Sequence, residues 1–533
     1  MYNLLSEPLI GIRTANGDDH VTLPELLARL SAGNVEGYTG LRAHQADPWH
    51  VFLVQLAASI QARFPTATLP TDAAYWQEGL LDLADGEESA WHLLVEDVTK
   101  PAFMQHPWKS WEEEAKDYGV EVKRGKVSYE PKASAPDELD VLITAKNHDV
   151  KKARLGNDLE AWLYALLTLQ TLSPYGGRKT YGITRMNSGS GSRPIVAWAS
   201  SLHPSRRFIE EVVLLGKMRP QVLATYGFQP RGIVLTWIKP WDRKGHQYLL
   251  NALEPWFIEA ARALRLILVH DRVLALSAPS ENRQIGPTKP FNGDVGDPWI
   301  PINRQKERSA LTLSAPGFTP ERVCRLLFGN DIELTLIQQP RAGDGNAWLV
   351  ASVLVGGNCT TDGFYHLELP VPPKARMALF HKPTRDTLGH LAQALLTDAG
   401  NIQRALATAL TMLTEGGPEK PDFERIKAWL GQARSDFTRR WEALFFPTLW
   451  RGAEEAHETV RADWQQALVD AAQALLDEAH ERMPLPANRT WRAITQAQGV
   501  FRALLHKRAL LHKHRLPMPR TTRNSTQPAE EIA

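Results

Sequence analysis

Cysteine is nearly absent: among 533 residues only Cys324 and Cys359 occur. Two thiols cannot build a disulfide scaffold or a cysteine-cage zinc site, and such sparse usage fits a reducing cytoplasm. Long apolar runs are missing as well. The strongest, near residues 161–172, is interrupted by Thr168 and Gln170 and falls short of the roughly 20 residues a bilayer requires. The start, MYNLLSEPLIGIRTANGDD, has no basic stretch ahead of an apolar core, so no signal peptide is expected. Catalytic signatures are lacking too. Gly177-Arg178-Lys179-Thr180 does not have the glycine spacing of a phosphate-binding P-loop, and Ser188-Gly189-Ser190-Gly191-Ser192 is no nucleophile elbow. His148-Asp149 has no second His–Asp pair to complete a metal-dependent phosphohydrolase. Net charge is nearly nil: 61 Lys+Arg stand against 60 Asp+Glu, an average that argues against a nucleic-acid binder.

What is present is globular. Apolar residues make up 43% and charged residues 23%, close to the usual charged share of about 25%. At about 150 residues per domain the length suggests two to four domains. Thr22-Leu23-Pro24-Glu25 is a capping box opening a short helix over 26–30. A second helix is expected to start at Asp47-Pro48 and to carry Val51, Leu53, Val54, Leu56, Ala57 and Ile60. Residues 159–172 read as a buried helix. Gly176, Gly177, Gly182, Gly189 and Gly191 then mark a loop. Residues 277–305 read as a long loop, and 347–355 as a strand ending at the turn Gly356-Gly357-Asn358.

From about Thr387 the texture changes. Four segments carry apolar residues every three or four positions, separated by breaks at Gly416-Gly417-Pro418, Arg451-Gly452 and 484–486. Phe423, Ile426, Leu430, Ala433, Phe437, Trp441 and Leu444 show the pattern, as do Trp464, Leu468, Ala471, Leu475 and Ala479, and Trp491, Ile494, Ala497, Phe501 and Leu504. Four amphipathic helices of about 25 residues read as an antiparallel bundle. Trp429, Trp441, Trp464 and Trp491 are expected in its core. The fold class is therefore α+β: a large mixed N-terminal domain (1–380), a C-terminal antiparallel four-helix bundle (381–516) and a disordered tail (517–533).

The near-zero net charge hides an uneven distribution. Between Asn488 and Pro528 there is no acid, while nine Lys and Arg occur, among them Arg502, Lys507 and Arg508. A second acid-free stretch, 161–209, holds Arg178, Lys179, Arg185, Arg193, Arg206 and Arg207. Lys146, Lys151, Lys152 and Arg154 precede it. Glycine density and cations coincide there, a combination suited to approaching a phosphate chain.

Several segments in order resemble the CasA family, the large subunit of the type I-E CRISPR surveillance complex Cascade. They are Asn3-Leu4-Leu5 with Pro8, Ile10 and Arg13; the capping box; Pro101-Ala102-Phe103-Met104-Gln105; Pro174-Tyr175-Gly176-Gly177-Arg178-Lys179; Leu235-Thr236-Trp237-Ile238-Lys239-Pro240; Lys289-Pro290-Phe291 with Asp297-Pro298-Trp299; and Gly356-Gly357-Asn358. The resemblance spans nearly the whole chain, and the terminal bundle matches it.

The resemblance implies a protein that is not an enzyme and needs no cofactor or metal. It would recognise the protospacer-adjacent motif (PAM) in double-stranded DNA, open the duplex toward an R-loop and recruit a helicase-nuclease for antiviral interference. Gly176 and Gly177 would approach the minor groove, with Arg178 and Lys179 beside them, and Lys289 would bond base edges. Asn358, Thr360, Thr361 and Asp362 would form the wedge. The family often has Gln or Asn where Asp362 stands, so either the match is shifted or Thr360 and Thr361 do the wedging, since a carboxylate is unfavourable near phosphates. Lys146, Lys151, Lys152 and Arg154 would touch the guide assembly or the DNA backbone, and Arg502, Lys507 and Arg508 the displaced strand. Implied partners are the guide-RNA-containing backbone, small and guide-processing subunits, target DNA with its displaced single strand, and the helicase-nuclease; no membrane is implied. Two other readings stand beside this one: a metal-dependent nuclease using His148 and Asp149, and a helical scaffold with no DNA role.

Overall fold

The computed structural model describes residues 2–109, 129–140, 158–174, 181–187, 191–286, 291–305, 307–356, 361–414, 427–482 and 489–508. The chain divides into two compact units. A mixed unit comprises Met1–Phe318 and Gly329–Val371; a helical unit comprises Thr319–Phe328 and Pro372–Ala533.

In the mixed unit, α1 (Leu23–Ser31) begins at the expected capping box. Thr22 Oγ1 accepts from Glu25 N at 3.3 Å, and Glu25 Oε2 accepts from Thr22 N at 2.9 Å. α2 (Ala43–Arg63) begins ahead of the expected Asp47-Pro48 start. His44 Nε2 lies 2.5 Å from Asp140 Oδ2, and Gln45 Nε2 donates to the same oxygen at 2.8 Å. These contacts hold an extra turn in place, and Pro48 then forgoes only the bond to the His44 carbonyl. Every residue from Pro48 to Ile60 is buried, as expected of a helix apolar all round. α3 (Ala73–Leu83) and α4 (Pro136–Leu139) are shorter. α5 (Leu159–Thr171) is buried from Ala161 to its end. Gln170, which breaks the apolar run, is fully used there: its Nε2 donates to Met104 O and Arg262 O, and its Oε1 accepts from Arg262 N. α6 (Pro204–Tyr226) completes the helices of this unit.

The sheets are small. Ile10–Thr14 pairs with Gly17–Val21 and with Gly37–Tyr38, and the hairpin of Ala263–Val269 and Arg272–Ala278 adds Glu130–Ala133. The strand expected over 347–355 is present as Ala347–Gly356. It lies between Thr361–Val371 and Pro194–Ala199, antiparallel to both, with Val353 opposite Pro194 and Gly356 opposite Thr361. The described residues of 277–305 are loop apart from short pieces such as Ile285–Gly286, which pairs with Tyr248–Leu249. Tryptophan fills this core: Trp49, Trp76, Trp91, Trp108, Trp162, Trp198, Trp237, Trp256 and Trp299 are all buried.

The helical unit contains α7 (Pro320–Phe328), α8 (Pro373–Phe380), α9 (Lys382–Thr414), α10 (Lys427–Arg451), α11 (His457–Arg482) and α12 (Thr490–Arg508). The four long helices are those the periodicity predicts. α9 is the central one, packing against each of the other five. α7 joins this unit from an interior stretch of the sequence, its Phe328 seated over Gly389, where an added Cβ would meet the ring's own Cβ at 3.2 Å. Trp464 is buried against Trp441 and Phe445 and donates Nε1 to Leu395 O at 3.0 Å.

Trp429 and Trp491, expected in the bundle core, are instead 44% and 83% exposed, and Leu444 is 47% exposed. The reason is angular. The buried residues of α12 are Ala493, Ala497, Phe501 and Leu505, and Trp491, two positions off that stripe, points about 200° around the helix. Trp429 and Leu444 each lie one position off the stripe of Leu430, Phe437, Trp441 and Phe445.

Candidate nucleic-acid interface

The acid-free stretch 161–209 is not acid-free in space. Arg207 Nη1 meets Asp47 Oδ1 at 2.9 Å, and its Nε meets Glu211 Oε1 at 2.8 Å. Burial alone would raise both carboxyls; the Arg207 guanidinium outweighs it and holds both below the usual carboxylate range. Arg185 Nε and Arg193 Nη2 both meet Asp297 Oδ2, at 2.8 and 2.7 Å. Arg185 also lies over the Phe257 ring and donates to Phe257 O. Burial lowers it to about 10. The expectation that these cations face a phosphate chain is therefore overturned for Arg185, Arg193 and Arg207. Arg206 is exposed.

Gly176, Gly177, Arg178, Lys179, Lys289, Asn358 and Thr360 lie outside the described residues, as do Lys146, His148, Asp149, Lys151, Lys152 and Arg154. The described flanks of the three expected DNA-contacting segments converge. Before the glycine loop, α5 ends at Thr171 and the chain runs to Pro174. Arg262 Nη2 donates to Ser173 O at 2.9 Å and Pro174 O at 2.7 Å, and its Nη1 donates to Leu169 O. Arg193 Nη1 donates to Thr171 O at 2.8 Å. Burial lowers Arg262 to about 10. After the loop, Thr184 N and Oγ1 donate to the buried Glu259 carboxylate.

On the Lys289 side, Gly293 (φ +79°) packs so closely on the chain at Met186 and Asn187 that an added Cβ would stand 2.6 Å from Met186 C. Asp297, on that same side, accepts from Arg185 and Arg193. On the hairpin, a Cβ at Gly356 would stand 2.7 Å from the Pro174 Cβ. The turn end of the hairpin thus rests on the residue that leads into the glycine loop. Thr361 is only 3% exposed, whereas Asp362 is exposed. Of the expected wedge residues within view, the carboxylate faces outward and the hydroxyl does not.

In the helical unit Arg492 and Arg502 are exposed on α12, and Arg489 is exposed just ahead of it. Lys507 and Arg508 form its last turn. Sequence reasoning missed Arg262 and Glu259 altogether. Arg262 precedes a strand and its targets lie some ninety positions earlier, a separation no local pattern reveals. Among the described residues no group of three or more His, Cys, Asp or Glu could hold a metal ion. No helix there is long and apolar enough to cross a membrane.

No protein-family model and no curated protein matches the sequence. Solved structures do match. Thermus thermophilus CasA (Cse1) superposes with a TM-score of 0.62 at 15% identity, covering 95% of this chain and 99% of that one. Thermobifida fusca Cse1 does so with 0.63 at 15%, covering 95% and 98%. A chain of a CRISPR RNA-guided surveillance complex gives 0.59 at 14%, covering 94% and 99%. The likeness runs from end to end of both partners, so the fold of this chain, mixed unit and helical unit alike, is that of the CasA (Cse1) proteins.

Proposed function

We propose that this chain is the non-catalytic large subunit of a type I-E Cascade complex, reading the protospacer-adjacent motif in duplex DNA and starting its opening. The convergence of Pro174, Gly356 and the Asp297 side of the Lys289 segment carries this reading. In a chain with the CasA fold, three separate loops grouped at one place suit recognition of a short motif, with the rest of the sequence left to a guide RNA. Gly176 and Gly177 would let the backbone come close to the narrow minor groove, and Lys289 would donate to its acceptors. Arg178 and Lys179 would neutralise phosphates. Asn358, Thr360 and Asp362 would form the wedge tip, with the buried Thr361 packed behind it.

Docking and motif reading fall to the N-terminal domain (1–380), with Lys146, Lys151, Lys152 and Arg154 toward the guide assembly. The bundle (381–516) would offer a path to displaced strand along Arg502, Lys507 and Arg508 and a face to the helicase-nuclease. The protein would work in the cytoplasm with the other Cascade subunits and without a cofactor.

The test is reconstitution with guide RNA and the sister subunits, followed by titration of matched duplex targets with and without the motif. Replacing Arg178 and Lys179 with Gln lowers affinity and flattens the salt dependence by about one to two phosphate contacts. Failure to assemble with guide RNA, or equal binding of both targets, overturns the reading.

A further inference from the structure

We propose that Arg262 and Arg193 are positioning residues for the DNA-reading site: they lock the end of α5 and the residues to Pro174 against the turn end of the hairpin, holding loop and wedge in register. The proposal rests on the nucleic-acid reading above. A helix C-terminus leaves its last carbonyls without partners, and here guanidinium groups take them. Arg262 serves Leu169 O, Ser173 O and Pro174 O, and Arg193 serves Thr171 O. Both cations also suit the negative end of the helix.

The clamp is itself anchored. The Arg262 N–H donates to Gln170 Oε1 at 2.8 Å, and the second fork of Arg193 meets Asp297. The residue after Arg193, Pro194, lies opposite Val353 in the strand that ends at Gly356. Pro174 then touches Gly356 with no room for a Cβ between them. Two routes thus join the glycine-loop anchor to the hairpin, one through Pro174 and one through Arg193. Both guanidinium groups are buried, Arg193 at 2% and Arg262 at 8% exposure, so neither is free to serve as a DNA contact in this conformation. An apolar pair would fill such a core equally well; the planar fork is what lets one side chain hold several carbonyls at once.

The experiment uses the full chain reconstituted with guide RNA and sister subunits. It compares a matched duplex target with the same target pre-opened by mismatches beside the motif. Arg262→Lys and Arg193→Lys keep the charge and lose the fork. Gly356→Ala crowds the Pro174 contact and removes none of the clamp's donors or acceptors. Each variant is expected to weaken duplex binding by on the order of tenfold, with pre-opened binding within about threefold of native and an unaltered salt slope. Duplex binding within about threefold of native in all three overturns the proposal. So does equal loss on both targets, the result of a merely structural role. Native protein that binds motif-bearing and motif-free duplex alike removes the underlying reading and this proposal with it, a result distinguishable from variants that match a motif-selective native protein.

Discussion

The two units use their cations in opposite ways. In the mixed unit Arg185, Arg193, Arg207, Arg262 and Arg265 are buried or nearly so, set against carboxylates or backbone carbonyls. In the helical unit Arg492 and Arg502 stand exposed on α12 and Arg489 just ahead of it, and among the described residues the buried charges are Asp398 and Arg376. The difference follows from the backbone. Helices satisfy their own N–H and C=O groups, so their packing asks only for an apolar stripe. The mixed unit joins its helices to short strands through long connections, and the carbonyls of those connections and of the α5 end need side-chain donors once buried. An arginine fork supplies several at once. A basic run in sequence is thus a surface in one unit and a set of internal struts in the other.

The largest effect that could break this comparison is at Asp297, which accepts from both Arg185 and Arg193. Asp297→Ala leaves two buried guanidinium groups without their carboxylate and should cost about 3–5 kcal/mol. Denaturant unfolding followed by near-UV signals measures it. A loss below about 1 kcal/mol would mean that carbonyls alone suffice for these cations.

A middle-sized effect concerns pH. His106 is buried, its Nε2 2.9 Å from Ala260 O and 3.4 Å from Gln284 Nε2, with the Trp241 ring beside it and Arg243 nearby. Burial lowers its imidazole to about 4. The unfolded value is near 6.5, so between the two the unfolded chain binds the extra proton. Stability is therefore full above about 6.5 and falls as pH drops toward 4, by on the order of 3 kcal/mol. Melting curves at stepped pH follow the decline, and His106→Gln should flatten it. The same slope in the variant would assign the loss elsewhere.

The smallest effects belong to the helical surface. Trp491→Ser and Arg502→Gln should each change stability by about 0.5 kcal/mol or less, read by the same unfolding assay. A larger loss at Trp491 would return it to the core, where the periodicity had placed it.

Much of the architecture was legible from local signals. The capping box at Thr22, the buried helix α5, the strand at 347–355 and the four long helices each carry their own pattern. α7 did not announce its unit, because nothing in Pro320–Phe328 says which neighbour covers its apolar face. The site was legible only in outline. Glycine density marked the loop, and Gly356 marked a turn. That Pro174 and Gly356 touch, and that Arg262 binds the carbonyls beneath them, depends on contacts between distant parts of the chain.

By itself the sequence determined the type of the strongly patterned elements, the helical spacing and the exclusion of a disulfide scaffold or cysteine-cage zinc site, since each depends on near neighbours and composition. Only the tertiary structure decided which charges meet. Arg193 and Asp297 are 104 positions apart yet bonded at 2.7 Å, and a Coulomb interaction depends on distance in space, which sequence spacing does not measure. Arg185, Arg193 and Arg207 of the acid-free stretch are neutralised from elsewhere in the chain, while the exposed cations of α12 kept the character their sequence suggests.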